Sequence, residues 1–301
     1  MSESKSILRM AAIQMCSGQD PEGNLRRAVE LVHAGADRGA DVVALPENFA
    51  FMGSDRDRAE IAQDLDGPII TELRRVARQR AVILLAGSYL ERSRRRLDPR
   101  PFNTSVLLDR RGEIVAVYRK LHLFDVSLPD GASYRESEYI QPGSEVVVVR
   151  LEGVEYGLTI CYDLRFPELY RALALRGARA VFVPAAFTLL TGKDHWIPLL
   201  RARAIENQIW VVAPAQFGTH DARRQTYGHA AIVDAWGTIL AQAPDQACVV
   251  SADVDLAYQE DVRRRIPVFE HLRLEACERY LLAGAKRKPT CRRGQGHRTK
   301  R

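Results

Sequence analysis

Two stretches of the chain share one pattern, and this internal similarity restricts the possible folds more than any other feature of the sequence. Residues 38–49 and 176–187 are identical at six of their twelve aligned positions. Each stretch is typical of a helix end, a glycine turn, an apolar strand and a proline. One explanation of this similarity is that all helix-to-strand corners have similar sequences. The other is that the chain contains two related βα half-folds. In the second case Glu47 and the loop at Phe187 lie at equivalent strand ends, where open α/β sheets bind ligands.

Apolar segments bounded by turn residues alternate with amphipathic segments, and hairpins follow them. This order predicts an α/β protein with mixed sheets covered by helices rather than a purely parallel barrel. We predict strands at residues 7–14, 41–46, 81–88, 103–109, 114–119, 146–151, 155–160, 180–184, 209–215, 230–234, 238–242 and 248–255. We predict helices at residues 21–38, 55–64, 69–80, 168–176, 197–207 and 256–265. We predict a long irregular loop at residues 123–142. Loops of this length inside a compact domain are usually functional.

The positive net charge belongs to the end of the chain. The 301 residues carry +6 in total, but residues 286–301 contain eight Lys or Arg and no acid, so the remainder carries −2. A segment of this composition cannot bury a core. We therefore predict one domain over residues 1–275 and a basic, disordered tail over residues 276–301. We expect no nucleic-acid binding beyond weak contacts by this tail.

Several functional classes are disfavoured by the sequence. No run approaches the roughly 18 apolar residues of a membrane helix, and the polar N-terminus does not resemble a signal peptide. The cysteines are scattered, odd in number and never spaced as C-x-x-C: Cys16, Cys161, Cys248, Cys277 and Cys291. This pattern fits a reducing compartment, so we expect a cytoplasmic protein without a disulfide framework or a thiolate zinc site.

Cys161 follows a predicted buried strand and precedes the predicted helix at residues 168–176. α/β enzymes hold nucleophiles at such strand-to-helix corners, because the backbone N–H groups that follow point at the reacting centre. A free cysteine is more commonly a buried core residue. Local context alone leaves both interpretations open.

Three charged residues occupy positions that favour chemistry. Glu47 directly follows a buried strand, and partial desolvation there favours its use as a base near neutral pH. Lys120 has apolar and aromatic neighbours at a strand end, and a buried ammonium needs anionic partners. Glu136, in the loop that follows, is a candidate partner. The alternatives are a capping or salt-bridging Glu47, a surface Lys120 and a solvated Glu136.

Three segments resemble the signature segments of the nitrilase (carbon–nitrogen hydrolase) superfamily, and they occur in that family's order. They are Leu-Pro-Glu at 45–47, Tyr-Arg-Lys-Leu-His-Leu at 118–123 and Cys-Tyr-Asp-Leu-Arg-Phe-Pro-Glu at 161–168. Three ordered motifs are far more specific than one, and the resemblance covers about residues 7–272. Later segments resemble the Nit branch: 191–196, 201–207, 227–229 and 234–237. Within that branch the chain is most similar to the deaminated glutathione amidases, with the ω-amidases as near neighbours.

The resemblance implies a four-layer αββα sandwich of the nitrilase type, a homodimer or larger homo-oligomer, and no cofactor. It also implies that Cys161 attacks an amide carbonyl to form a thioester, with Glu47 as the base. Lys120 and the backbone N–H of Tyr162 would stabilise the oxyanion. Glu136 would hold Lys120 in place and orient the substrate amide.

The resemblance further predicts a small amide substrate that carries a carboxylate, with deaminated glutathione as the first choice. Arg165 could clamp that carboxylate, or it could form a structural ion pair with Asp163 or Glu168. Phe187 and Thr191 follow the second repeated stretch and are expected to line the pocket. The alternatives are an ω-amidase acting on 2-oxoglutaramate or 2-oxosuccinamate, a hydrolase of N-carbamoyl amides or nitriles, and a regulatory binding protein on the same fold.

A Cys–His hydrolase is a further rival, because His122, His195 and His229 are available as bases. It predicts that loss of one of these histidines is as damaging as loss of Cys161. A metal enzyme is disfavoured, since the sequence contains no H-E-x-x-H and no His/Asp pair at tight ligand spacing.

Overall fold

The computed structural model describes residues 7–95, 97–222 and 224–276. The chain divides into two units, residues 1–264 and 265–301. Most of the predicted basic tail, residues 277–301, lies outside the described residues. The predicted boundary at residue 275 and the weak nucleic-acid contacts of the tail therefore stay predictions.

The secondary structure alternates between strands and helices along the first unit. The strands are β1 (Ile7–Met15), β2 (Val42–Ala44), β3 (Ile83–Leu85), β4 (Tyr89–Glu91), β5 (Phe102–Leu108), β6 (Ile114–Arg119), β7 (Asp125–Ser127), β8 (Ser133–Arg135), β9 (Val148–Leu151), β10 (Val154–Leu158), β11 (Ala180–Phe182), β12 (Trp210–Ala213), β13 (Ala215–Thr219), β14 (Gln225–Tyr227), β15 (Ala231–Val233), β16 (Ile239–Gln242) and β17 (Cys248–Asp255). The α-helices are α1 (Pro21–Asp37), α2 (Arg58–Ile61), α3 (Pro68–Arg80), α4 (Pro167–Leu175), α5 (Leu189–Asn207), α6 (Leu256–Arg265) and, in the second unit, α7 (Val268–His271). Turns of 3₁₀ helix lie at Asp55–Asp57, Glu136–Glu138 and Cys161–Arg165.

Within the described residues the strands form a nine-stranded sheet, a six-stranded sheet and a two-stranded ribbon of β7 and β8. β1, β2 and β3 run parallel at the centre of the larger sheet. β10, β11 and β12 form the same parallel arrangement in the smaller sheet. β2 and β11 come from the two repeated stretches, and each is the middle strand of its trio. This equivalence supports the explanation by two related half-folds.

Helices cover the outer face of each sheet. α1 packs on the larger sheet, where a Cβ added at Gly35 would lie 3.3 Å from Val43 of β2. α4 packs on the smaller sheet, where a Cβ added at Gly157 of β10 would lie 3.3 Å from Leu173. β17 of the larger sheet contacts β15 and β16 of the smaller one. The order helix, sheet, sheet, helix confirms the predicted four-layer sandwich.

Helix α5 begins at Leu189 rather than at the predicted residue 197. Pro198 lies inside this helix, although proline usually ends or kinks one. Gly192 also lies inside it, and its lack of a side chain is needed because an added Cβ would be 2.2 Å from Tyr227 Cβ. The predicted start was wrong because tertiary packing outweighs these two helix-breaking signals.

The structure also contains short strands that the sequence analysis did not predict. β7 and β8 pair inside the predicted irregular loop, and β13 pairs with β14 through three residue pairs. Strands this short carry too few residues for a period-2 pattern to be recognised. The other predicted elements are present, with ends that differ by a few residues.

Candidate active site

The two repeated stretches meet at their strand ends. Glu47 follows β2 and Pro46 in the first repeat, and Ala186 follows β11 and lies two residues after Pro184 in the second. The backbone N–H of Ala186 donates to Glu47 Oε2 at 2.9 Å. A carboxylate from one half-fold is therefore fixed by the backbone of the other half-fold. The glutamate is 3% exposed.

Lys120 lies between two carboxylates. Its Nζ is 2.9 Å from Glu47 Oε1 and lies 3.1 and 2.9 Å from the two carboxylate oxygens of Glu136. The lysine is 2% exposed. The surface interpretation of Lys120 and the solvated interpretation of Glu136 are therefore both wrong. A buried ammonium without such partners would be strongly unfavourable.

The charges in this cluster stabilise one another. Burial by itself lowers the pKa of Lys120, but the negative charges of Glu136 and Glu47 outweigh burial and place this pKa above its ordinary value. Burial by itself raises the pKa of Glu136, but the charge and hydrogen bond of Lys120 outweigh burial and place it below its ordinary value. The lysine is therefore charged at neutral pH, and so is Glu136.

Cys161 lies beside this cluster, at the first position of a 3₁₀ turn that follows β10. Its φ of +48° is unusual for a residue other than glycine, and its backbone N–H donates to Pro184 O at 2.9 Å. Burial raises the pKa of the Cys161 thiol well above its ordinary value; the charge and hydrogen bond of Glu47 add to this, while Lys120 opposes it. The thiol is therefore protonated at rest, with its hydrogen-bonding carboxylate in place.

Asp163 holds the turn that carries the cysteine. Its Oδ2 accepts the Ile160 N–H at 2.9 Å and the Tyr118 hydroxyl at 2.7 Å. Its Oδ1 accepts the His122 N–H at 3.1 Å and lies 2.7 Å from His122 Nδ1. Both oxygens of this fully buried carboxylate are therefore engaged, so the ion pair with Arg165 that the sequence left open does not form.

The three candidate histidines bond elsewhere. His122 contacts Asp163 through Nδ1. His195 Nδ1 lies 3.2 Å from Arg165 Nη1, and His229 Nδ1 lies 3.0 Å from Tyr227 O. Among the described residues, no hydrogen bond joins one of them to Cys161. The arrangement therefore gives no support to a Cys–His hydrolase.

Asn103 is a member of the cluster that sequence reasoning missed. Its Nδ2 donates to Glu47 Oε1 at 2.9 Å and to Glu136 Oε1 at 3.4 Å, and the residue is fully buried on β5. One side-chain amide thus bridges the two carboxylates that flank Lys120. The available signal was a run of three polar residues at 103–105 inside an otherwise apolar strand.

The cluster opens into a cleft. The eight residues that the family resemblance assigns to the site all line it: Glu47, Lys120, Glu136, Cys161, Tyr162, Arg165, Phe187 and Thr191. Further lining residues were not singled out, including Asn48, Asp55, Arg58, Phe124, Tyr134 and Arg224. The catalytic candidates could therefore be predicted from the sequence, whereas many of the residues around them could not.

Arg165 stands in this cleft without a carboxylate partner. Its guanidinium carbon lies 5.2 Å from the centre of the Phe187 ring and 5.9 Å from that of Tyr162. In the part of the chain that the structure describes, it forms no ion pair with Asp163 or Glu168. An arginine stacked on aromatic rings beside a nucleophile is suited to binding a carboxylate.

Two features are absent from the part of the chain that the structure describes. No helix there is long and apolar enough to cross a membrane. No group of three or more His, Cys, Asp or Glu side chains there is arranged to hold a metal ion.

The protein is similar to proteins of one family in both sequence and structure. A family model described as carbon-nitrogen hydrolase matches residues 9–264. The deaminated glutathione amidase of Synechocystis sp. is 43% identical over 271 residues, covering 87% of this chain and 96% of the relative. The Homo sapiens deaminated glutathione amidase is 40% identical over 277 residues, covering 90% and 84%. The crystal structure of the C. elegans NitFhit protein has a TM-score of 0.84 and 38% identity, covering 91% of this chain and 67% of that one.

Proposed function

Because the chain belongs to the carbon–nitrogen hydrolase family and is an amidase, we propose that its substrate is deaminated glutathione. The observation that carries the proposal is the buried cluster of Glu47, Lys120 and Glu136 beside Cys161, in a cleft that also contains Arg165, which forms no ion pair among the described residues. The names of the Synechocystis and human relatives support the same substrate. The leaving group would be the amine of a dipeptide.

In the first half of the proposed reaction, Cys161 Sγ attacks the amide carbonyl carbon while Glu47 takes the thiol proton. The carbonyl oxygen becomes an oxyanion, which Lys120 Nζ and the Tyr162 backbone N–H stabilise. Of the three ammonium protons, one can go to Glu47 Oε1 and one can be shared by the two oxygens of Glu136, which leaves one for the oxyanion. The C–N bond then breaks, and Glu47 gives its proton to the leaving nitrogen.

In the second half, water hydrolyses the thioester. Glu47 removes a proton from the water, the hydroxide oxygen attacks the acyl carbon, and the same donors stabilise the second oxyanion. The C–S bond breaks, the thiolate regains the proton from Glu47, and the carboxylic acid leaves. Glu136 and Asn103 act by position, since they hold Lys120 and Glu47 where both steps need them.

The substrate assignment is tested by comparing kcat/KM for deaminated glutathione and for 2-oxoglutaramate. Both carry the same acyl group and release 2-oxoglutarate, so one coupled assay measures both. We expect kcat/KM to be about tenfold higher or more for deaminated glutathione, because a peptide leaving group makes additional contacts in the cleft. A higher value for 2-oxoglutaramate would favour an ω-amidase and overturn the assignment.

Replacing Asn103 by leucine is expected to lower kcat by about tenfold to a hundredfold with little change in KM. The reason is that hydrogen bonds to charged groups contribute roughly 1.5–3 kcal/mol, and this amide positions two carboxylates without facing the substrate. Ser105→Ala is the matched control, because its buried Oγ on the same strand has no hydrogen-bond partner among the described residues. Equal kinetics for Asn103→Leu and Ser105→Ala would remove the positioning role.

We also propose that the chain forms a homodimer or larger homo-oligomer and that it acts in the cytoplasm. Adjacent apolar side chains on α5 and the β15–β16 hairpin support assembly, since Ile205 is 48% and Trp236 is 53% exposed. The free thiols of Cys16, Cys161 and Cys248 support a reducing compartment. Light scattering that gives only the monomer mass of 33.8 kDa would contradict the assembly.

A further inference from the structure

A second cationic site lies in the wall of the cleft. Arg58 Nε is 2.8 Å from Asp55 Oδ1, and Arg224 Nη2 is 3.3 Å from the same oxygen. The arginine side chains are only 12% and 16% exposed, respectively. All three residues line the cleft that contains Cys161. They come from the segment after β2 and from the turn between β13 and β14.

The three side chains of this cluster carry more positive than negative charge. Two guanidinium groups share one oxygen of one carboxylate, so the three side chains carry a net charge of +1. Asp55 stays ionised, because its two arginines outweigh burial and hold its pKa below the ordinary value. Among the described residues, the Arg58 side chain bonds only through Nε, and the Arg224 side chain has one further bond, from Nη1 to Gly53 O at 3.3 Å, while its backbone N–H donates to Asp221 Oδ1 at 2.8 Å. N–H donors therefore remain for an anion, which a largely buried positive charge favours.

The Arg58–Arg224 pair is separate from Arg165. Arg165 belongs to the turn of the nucleophile and stacks on Tyr162 and Phe187. The Arg58 charge instead acts on Glu136, whose pKa it helps to lower. The cleft thus presents cationic groups at two places, with Arg165 near Cys161 and the Arg58–Arg224 pair near Glu136. A substrate with two separated carboxylates matches this distribution of charge.

We propose that the Arg58–Arg224 pair binds the carboxylate of the leaving group, while Arg165 binds the carboxylate of the acyl group. This inference rests on the proposed function, and it extends that function to a substrate class: amides with a carboxylate on each side of the scissile bond. Deaminated glutathione is of this kind, since its acyl part ends in a 2-oxo acid and its leaving dipeptide ends in the glycine carboxylate. 2-Oxoglutaramate has only the first of these groups.

The test uses two substrates that differ only at the distal carboxylate. They are deaminated glutathione and its analogue with a carboxamide in place of the glycine carboxylate. For the wild-type protein we expect kcat/KM to be about tenfold to a hundredfold lower for the analogue, mainly through KM, as for the loss of a charge-assisted hydrogen bond.

Arg58→Gln and Arg224→Gln are expected to lower kcat/KM for deaminated glutathione by a similar factor. The loss should be clearly smaller on the carboxamide analogue and on 2-oxoglutaramate, which lack the group that the pair binds, and the part of the loss common to all three substrates would report the effect of the Arg58 charge on Glu136. Arg135→Gln is the matched control. Arg135 also lines the cleft, but it is exposed and donates to the carbonyls of Val126 and Tyr134.

Two results would overturn the subsite. Equal losses on all three substrates would show that the pair only holds the loop to the hairpin, and equal wild-type kinetics on the acid and the carboxamide would show that the distal carboxylate is not recognised. The proposed function is judged separately, from the wild-type ranking of deaminated glutathione against 2-oxoglutaramate. The acid and carboxamide pair decides the subsite whichever of those two substrates ranks first.

Discussion

Replacing Cys161 by alanine is expected to lower kcat by on the order of 10⁴-fold or more, because no other group in the cleft can form the thioester. The fold should persist, since the change removes one atom from a side chain that is 7% exposed and leaves the Asp163 bonds of the turn intact. Product release and thermal unfolding are measured on the same preparation. Cys248→Ala is the control, because this free, half-buried thiol lies on β17 and outside the cleft.

The same experiment has a covalent readout. Wild-type protein quenched in acid during turnover should carry the acyl mass on the peptide that contains Cys161, and the alanine variant should not. Glu47→Gln should lose activity by a comparable factor while keeping the thiol, since the base is absent. Near-normal amidase activity from Cys161→Ala would reject the mechanism.

Replacing Lys120 by methionine is expected to have two effects. The free energy of unfolding should fall by about 3–5 kcal/mol, because the change leaves Glu47 and Glu136 buried without their cation. kcat should fall by about a hundredfold or more, because one oxyanion donor is lost. Lys193→Met is the control, since this lysine is exposed on α5. Wild-type stability and activity in Lys120→Met would contradict the arrangement.

The stability difference between wild type and Lys120→Met should depend on pH. Glu136 has a pKa below its ordinary 4.5, so its contribution is present above that value and is lost as pH falls through the folded-state pKa. Lys120 has a pKa above its ordinary 10.5, so its contribution is present below that value and is lost as pH rises through the folded-state pKa. Denaturant unfolding should therefore show the largest difference between these two ordinary values and a smaller one in acid. A difference that does not vary with pH would contradict the coupling.

The repeated stretches made the fold predictable. Their matching turn, strand and proline identified β2 and β11 as equivalent, and the structure places each at the centre of a parallel trio. The three ordered motifs identified the family, and the family match over residues 9–264 confirms that resemblance. The start of helix α5 was harder to predict, because local helix propensity does not reflect the packing of Gly192 against Tyr227.

The parts of the site that could not be predicted depend on contacts between distant segments. Asn103 bonds to Glu47, which lies 56 positions away in the sequence, and the residues around position 103 do not indicate which residue it contacts. Arg224 meets Asp55 across 169 positions. Local patterns indicate which side chains are buried, but they do not state which buried polar groups meet. Arg165 shows the same limit, because no local pattern states that both oxygens of Asp163 are engaged by other groups.

The bond from the Ala186 N–H to Glu47 has a consequence for how the protein loses function. The base and the ammonium come from segments of the larger sheet, whereas the sulfur and the amide that fixes the base come from the smaller one. A slip of one sheet over the other by about an ångström would separate these partners while each sheet kept its own hydrogen bonds. On heating, turnover should therefore be lost at a lower temperature than the one at which circular dichroism detects unfolding. Loss of activity would then report the displacement of the two sheets before the secondary structure changes.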